Sequence, residues 1–161
     1  MLQRFKIPFA KTTVGEEEIQ AVSEVIRSGW VVMGKKTEEF EQAFAEYVGA
    51  HSAVFVDSGT AALFLALQYL KSKGSTKNSI FQIPSLTFTS TAEVFVHSGI
   101  NFVFKDVSRE TFCLDNIDAP ALPVHLCGVR SLAAAPIYDS AHRIEKDDMK
   151  NDTSIKPKRQ K

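Results

Sequence analysis

Hydrophobic residues recur with a helical period near the start of the chain. The apolar positions between residues 19 and 26 share one face, which predicts an amphipathic helix there. Thr13 and Glu16 have the spacing of a capping box, so Thr13 is the predicted N-cap. Gly29 stands where a left-handed C-terminal cap belongs, and the helix is therefore predicted to end there.

Farther along, a second predicted helix from near residue 37 to Gly49 leads into short apolar runs that alternate with helical stretches. Residues 53–56 form an uninterrupted apolar run, typical of a strand that is buried on both faces. Residues 60–71 are apolar on nearly every side, which is typical of a buried helix. The remaining predicted elements are strands at 80–83 and 101–106, a helix at 90–97, and candidate strands at 122–127 and 136–138. This alternation predicts an α/β fold with a mostly parallel sheet and flanking helices.

The composition is that of an ordinary soluble protein. Of 161 residues, 44% are hydrophobic and 24% are charged, and 19 basic side chains balance 19 acidic ones. No apolar run is long enough for a transmembrane helix or a signal peptide, and the balanced charge gives no footprint for nucleic acid. Two cysteines do not make a disulfide framework or a four-ligand zinc site, so we expect a cytoplasmic protein without a metal centre.

The chain is expected to have three parts. An N-terminal helical arm covers residues 1–50, and an α/β domain covers residues 51–145. Residues 146–161 are polar and partly basic, which predicts a disordered tail. No P-loop, HExxH, GxSxG or dinucleotide motif is present, so nothing favours those enzyme classes.

The turn after the first predicted strand carries the most informative residues. There an apolar run ends and a helix begins on Ser58, Gly59 and Thr60. Unpaired backbone amides and the positive end of the helix dipole favour a phosphate at such a turn. Gly59 permits close approach of the ligand, and Thr60 adds a hydroxyl. The alternative is an ordinary capped helix without a ligand.

Two later segments also leave predicted strands at the same edge of the sheet. Phe88 could stack on a flat ligand, or it could belong to the core. Asp139 follows a candidate strand, where its carboxylate could hold a protonated ring nitrogen while His142 donates to a ring oxygen. The alternatives are an N-cap aspartate and a surface histidine. His125 is expected to be a core histidine with satisfied hydrogen bonds.

Taken together, these segments resemble the N-terminal part of the DegT/StrS family of sugar-nucleotide aminotransferases, which are pyridoxal-phosphate (PLP) enzymes. The resemblance covers roughly residues 7–145 and implies part of the large domain of an aspartate-aminotransferase-like, fold type I enzyme. The matching stretches occur in the family's order: Ile7-Pro8-Phe9, Ser28-Gly29-Trp30 with Gly34, Phe40-Glu41, Ser58-Gly59-Thr60-Ala61-Ala62-Leu63, Pro84 with Thr87-Phe88, Asp106-Val107, Pro123-Val124-His125-Leu126 with Gly128, and Asp139-Ser140-Ala141-His142.

The resemblance implies roles for five cofactor-binding residues. Gly59 and Thr60 would hold the phosphate of PLP, and Phe88 would stack on the pyridine ring. Asp139 would pair with the pyridinium nitrogen and keep it protonated, so that the ring can act as an electron sink. His142 would lie near the ring hydroxyl.

The resemblance also implies a substrate and an assembly. The family transfers an amino group, usually from glutamate, to a keto sugar attached to a nucleotide, in the biosynthesis of surface polysaccharides or deoxyaminosugars. Trp30 and its loop would lie toward this substrate, contributed across a homodimer.

One departure from the family pattern concerns activity. The family's Schiff-base lysine lies beyond the aspartate in a Ser-Phe-x-x-x-Lys segment, and this chain has no such segment. The lysines that follow Asp139 stand in polar contexts: Lys146, Lys150, Lys156 and Lys158. No catalytic residue is therefore assigned, covalent attachment of the cofactor is not expected, and the chain is interpreted as truncated before the lysine and inactive alone.

A second departure concerns the strand that carries Asp139. Residues 129–138 separate Gly128 from Asp139, which is fewer residues than a parallel crossover needs. We therefore expect this strand to sit differently from the family's, or not to pair.

Two other interpretations stay open. A non-catalytic binding or oligomerisation module would keep the phosphate site and recruit a partner to an unpaired sheet edge. A dehydratase-type relative would use histidine in place of the lysine, but the segment that would carry it is absent from this sequence.

Overall fold

The computed structural model describes residues 12–133, 135 and 137–141. Its helices are α1 (Glu16–Ser28), α2 (Lys35–Val48), α3 (Gly59–Ser72) and α4 (Thr89–Ser98). Its strands are β1 (Phe81–Pro84) and β2 (Phe102–Lys105), and a short 3-10 helix follows at Leu126–Gly128. The chain divides after Glu39 into two compact units.

In the first unit, α1 begins later than predicted. The N-cap is Gly15 rather than Thr13, and the backbone N–H of Gly15 donates to Oε2 of Glu18 at 2.6 Å. This hydrogen bond lowers the pKa of the Glu18 carboxyl. The helix starts later because three acidic residues follow one another in its first turn, and the one that accepts from the N-cap backbone is Glu18 rather than Glu16. Gly29 closes the helix with a φ of 74°, as predicted.

The second unit is built on parallel pairing around β1. On one side β1 pairs with β2, with Phe81 opposite Phe102. On the other side the backbone N–H of Gln82 donates to the carbonyl of Pro120 at 2.8 Å, and the N–H of Leu122 donates to the carbonyl of Gln82 at 2.9 Å. Residues 121 and 124 form isolated parallel bridges, to β1 and to residue 139 respectively. The predicted α/β fold with a mostly parallel sheet and flanking helices is confirmed.

The core of this unit lies where α3 and α4 pack against the sheet. The ring of Phe95 on α4 lies 5.4 Å from that of Phe81 and 5.5 Å from that of Phe102, between ring centres. The core residues are Leu63, Leu67, Phe81, Ile83, Val94, Phe95, Ile100, Leu122 and Val124. Burial of these side chains is the main force that holds the helices on the sheet.

The prediction of a buried strand at residues 53–56 is wrong. The segment is not a strand, and the exposed fraction of Val54 is 76%. The backbone N–H of Phe55 instead donates to Oε1 of Glu41 on α2 at 2.7 Å, and its ring contacts Phe40. A strand needs a neighbour to supply its hydrogen bonds, and none lies beside this segment in the described part of the chain.

Helix α3 is buried on one face only, so the prediction of burial on nearly every side is wrong. Leu63 and Leu67 are buried, whereas Leu65 and Tyr69 are 50% and 62% exposed. The reason is that the described residues cover only the face of α3 that packs on the core.

The prediction of a strand at residues 122–127 is wrong, because only isolated bridges form at residues 121 and 124. Pro123 has no N–H to donate, and the chain turns into the 3-10 helix at Leu126–Gly128, so no continuous strand forms. The candidate strand at 136–138 is likewise not assigned in the residues described there, and Pro136 lies outside them.

Asp139 nevertheless pairs with the sheet, so the alternative that its segment does not pair is wrong. Its backbone N–H donates to the carbonyl of Pro123, and its carbonyl accepts from the N–H of His125, both at 2.9 Å. The parallel bridge joins Val124 to Asp139, so the crossover comprises residues 125–138. That length meets the dozen or so residues that a parallel crossover needs.

Candidate functional site

A cleft of about 300 Å³ lies in the second unit, where α3 and α4 begin. The carboxyl ends of neighbouring parallel segments meet there, as expected for an open α/β sheet. The cleft brings together four of the five predicted cofactor-binding residues, namely Gly59, Thr60, Phe88 and Asp139. The fifth, His142, lies outside the described residues. The remaining lining residues are Leu63, Thr87, Ser90, Val124, Leu126 and Ala141.

The N-terminus of α3 presents two unpaired amides to this cleft. The hydroxyl of Ser58 accepts from the N–H of Ala61 at 3.2 Å, and the carbonyl of Ser58 accepts from the N–H of Ala62 at 3.0 Å. The N–H groups of Gly59 and Thr60 make no hydrogen bond with any described residue. A Cβ added at Gly59 would meet no atom within 4 Å, so the backbone borders open space. The two amides and the helix dipole are therefore available to an anion.

Asp139 supplies the negative charge of the cleft. Its Oδ1 accepts from the N–H of Ala141 at 3.2 Å, and its Oδ2 accepts from the hydroxyl of Thr91 at 3.3 Å. It is the only ionisable side chain among the described residues that line the cleft, and it forms no ion pair with any of the basic side chains described. Since both donors are neutral, its charge remains available to a cationic ligand.

Phe88 supplies an aromatic face. It is the N-cap residue of α4, and its extended backbone turns the chain from β1 into that helix. The side chain is 70% exposed, so the alternative that Phe88 belongs to the core is wrong. A ring in this position can stack on a flat ligand.

Two further residues singled out from the sequence lie in other settings. His125 is buried, as predicted, where its Nδ1 accepts from the N–H of Ser131 at 3.1 Å and its ring packs against Tyr138. Trp30 belongs to the first unit, where its indole N–H donates to the carbonyl of Met33 at 3.0 Å. A role for Trp30 toward a substrate stays a prediction.

Sequence reasoning missed Thr91. This residue is completely buried, yet its hydroxyl contacts the Asp139 carboxylate behind the cleft. Thr87 and Thr91 are four residues apart across the start of α4, and this spacing is the only local signal. The contact with Asp139 joins positions far apart in sequence and has no local signature.

Polar side chains also line a second depression, of about 360 Å³, near the end of β2. There the side-chain amide of Gln82 lowers the pKa of the Asp118 carboxyl, and the Lys105 ammonium lowers it further. In the described ranges no group of three or more His, Cys, Asp and Glu side chains is arranged to hold a metal ion. No helix found in those ranges combines the length and apolar character required to cross a bilayer.

Sequence comparison finds close relatives over most of this chain. The model of the DegT/DnrJ/EryC1/StrS aminotransferase family matches residues 12–126. The spore coat polysaccharide biosynthesis protein SpsC of Bacillus subtilis is 40% identical over 131 residues, which cover 76% of this chain and 33% of SpsC. The chain spans about a third of the length of the curated relatives it matches.

Solved structures agree with the sequence match. The PLP form of Spr1654 from Streptococcus pneumoniae superposes with a TM-score of 0.68 at 29% identity, over 80% of this chain and 34% of that protein. The Escherichia coli GDP-4-keto-6-deoxy-D-mannose-3-dehydratase with bound hydrated PLP gives a TM-score of 0.68 at 27% identity, over 75% and 34% of the two chains. With the family model matching most of its length, the chain belongs to the DegT/DnrJ/EryC1/StrS aminotransferase family, a family of PLP-dependent enzymes.

Proposed function

We propose that the cleft binds PLP and that this chain supplies the cofactor-binding part of an enzyme that transfers an amino group from a donor such as glutamate to a keto sugar linked to a nucleotide. The observation that carries the proposal is the set of three groups around one cleft: two unpaired amides at a helix N-terminus, an exposed aromatic ring, and a carboxylate without a basic partner. They match the phosphate, the flat ring and the ring nitrogen of PLP. Family membership supports the reaction class.

Each of these groups would have one task. The amides of Gly59 and Thr60 hold the phosphate, and the ring of Phe88 stacks on the pyridine. The Asp139 carboxylate keeps a proton on the ring nitrogen, because a nearby negative charge favours the protonated form of a base. When bound, PLP supplies the electron sink that amino transfer requires. We further propose that His142 lies near the ring hydroxyl, and that Trp30 lies toward the sugar, contributed across a homodimer.

A polypeptide of these 161 residues would hold the cofactor without a covalent bond. No Ser-Phe-x-x-x-Lys segment occurs in it, and the lysines after Asp139 stand among polar residues in the sequence, whereas a Schiff-base lysine is activated by an apolar pocket or a neighbouring cation. We therefore propose that this polypeptide does not transfer amino groups by itself. Formation of pyridoxamine phosphate (PMP) from PLP and glutamate should then proceed no faster than without protein.

PMP is the best probe of the cleft because it lacks the aldehyde with which PLP modifies surface lysines. We expect calorimetric titration at neutral pH to show reversible binding of PMP, and much weaker binding of pyridoxamine, which has no phosphate. Asp139→Asn keeps the shape of the side chain but removes its charge, and it should weaken PMP binding about tenfold or more, the effect expected for a hydrogen bond to a charged group.

Asp118→Asn is the matched control, because it removes the same charge from a carboxylate outside the cleft. It should leave PMP affinity unchanged. The proposal fails if PMP does not bind, or if the substitutions at Asp139 and Asp118 have equal effects.

A further inference from the structure

Two threonine hydroxyls form a chain that ends on the Asp139 carboxylate. The Oγ1 of Thr87 lies 2.9 Å from the Oγ1 of Thr91, and the latter lies 3.3 Å from Oδ2 of Asp139. Thr91 is completely buried on the first turn of α4, whereas Thr87 lines the cleft. These two hydrogen bonds therefore run from the edge of the cleft, through the protein interior, to the back of the Asp139 carboxylate.

The chemistry of these groups sets the direction of donation. Each hydroxyl has one proton to donate, and an ionised carboxylate can only accept. Thr91 therefore donates to Asp139, and Thr87 donates to the oxygen of Thr91. The reverse order would turn an oxygen lone pair of Thr91 toward the negative carboxylate.

Both oxygens of Asp139 are thus fixed by neutral donors on two different segments. Thr91 on α4 holds Oδ2, and the backbone N–H of Ala141 holds Oδ1. On the neighbouring segment, the backbone N–H of His125 donates to the backbone carbonyl of Asp139. The ring nitrogen Nδ1 of His125 accepts from the N–H of Ser131. Two donors from different directions set the plane of the carboxylate and leave further lone pairs for a ligand.

We propose that Thr91 is a positioning residue, whose hydroxyl holds the Asp139 carboxylate in the orientation that faces the ring nitrogen of the cofactor. The inference rests on the proposed function of the cleft. A carboxylate held in this orientation can accept the N–H of a protonated ring, and a negative charge close to a base favours the protonated form of that base. Thr91 therefore strengthens binding of the ring-protonated form of the cofactor and has no effect on the deprotonated form.

The test is the pH dependence of PMP binding in four variants of the full chain: two substitutions at Thr91, Asp139→Asn, and a double variant. Thr91→Val retains the shape of the side chain without its hydroxyl. It should weaken PMP binding about tenfold where the ring nitrogen is protonated and leave it unchanged where the nitrogen is deprotonated. In PMP labelled with ¹⁵N in the ring, the pKa of the bound nitrogen should fall by about one unit. Thr91→Ser should restore both values, and Thr91→Val should add nothing in the Asp139→Asn background.

The outcomes separate this inference from the proposed function. If Asp139→Asn weakens PMP binding but Thr91→Val does not, or weakens it equally at all pH values, the positioning role is overturned and the cofactor site stands. If PMP does not bind, or Asp139→Asn has no effect, both are overturned. Thermal unfolding checks each variant. If Thr91→Val does not fold, Thr87→Val removes the other hydroxyl of the same hydrogen-bonded pair and is measured instead. An affinity of Thr87→Val for PMP that is unchanged at every pH would then overturn the inference.

Discussion

Ser58 determines which backbone amides of α3 remain for a ligand. Its side chain and carbonyl take the amides of Ala61 and Ala62, and those of Gly59 and Thr60 stay unpaired. This arrangement was predictable because capping depends on a few consecutive residues: an apolar run, a hydroxyl, and small residues. The role of Thr91 was not predictable, because its partner Asp139 is brought to it by folding alone.

Gly59→Pro tests the amide at the first helical position. Proline is well tolerated there, and Ser58 already has the extended conformation, with φ −157° and ψ 157°, that a residue before proline prefers. The variant should therefore fold normally but lose one donor to the phosphate. We expect PMP affinity to fall about tenfold or more and pyridoxamine affinity to stay the same.

Gly59→Ala is the control for this change, because it adds a Cβ in open space and keeps the N–H. It should lose less PMP affinity than Gly59→Pro. Equal losses in the two variants would argue for crowding and against a role of the amide.

Helices were more predictable than strands in this chain. Their ends are marked locally, as by Gly29 and Gly99, both with positive φ. β1 and β2 were also found within a residue or so of their predicted bounds. The apolar run at residues 53–56 failed as a strand, because pairing depends on a neighbour that lies elsewhere in the sequence. The same limit hid the parallel bridge of Asp139 to Val124.

Helix α3 allows a matched test of which face is buried. Leu67 is completely buried and Leu65 is 50% exposed on the same helix. Leu67→Ala should lower the free energy of unfolding by about 2–5 kcal/mol, because it leaves a cavity in the core. Leu65→Ala should lower it by no more than about 0.5 kcal/mol. Urea unfolding of both variants measures the difference, and a similar loss in the two would mean that α3 is covered on both faces.

At the scale of the whole molecule, parallel pairing explains why distant motifs meet. β1 and the segments at residues 124 and 139 run in the same direction and deliver their carboxyl ends to one edge, so Phe88 and Asp139 meet there. The packing of α3 on the core brings Gly59 to the same cleft. A cleft at this edge was predictable from the alternation of elements, whereas the pairing that brings Asp139 to it had no local signal. The volume of the cleft and the exposure of Phe88 were not, because they depend on how α3 and α4 pack on the core.

The central claim is that this cleft is the PLP site, and amide chemical-shift mapping tests it most directly. The 161-residue chain, labelled with ¹⁵N, would be titrated with PMP and separately with pyridoxamine. We predict that PMP shifts the amide signals of Gly59, Thr60, Phe88 and Ala141 most strongly, and that pyridoxamine leaves Gly59 and Thr60 nearly unchanged. No shifts at all, or shifts centred on residues outside the cleft, would contradict the account.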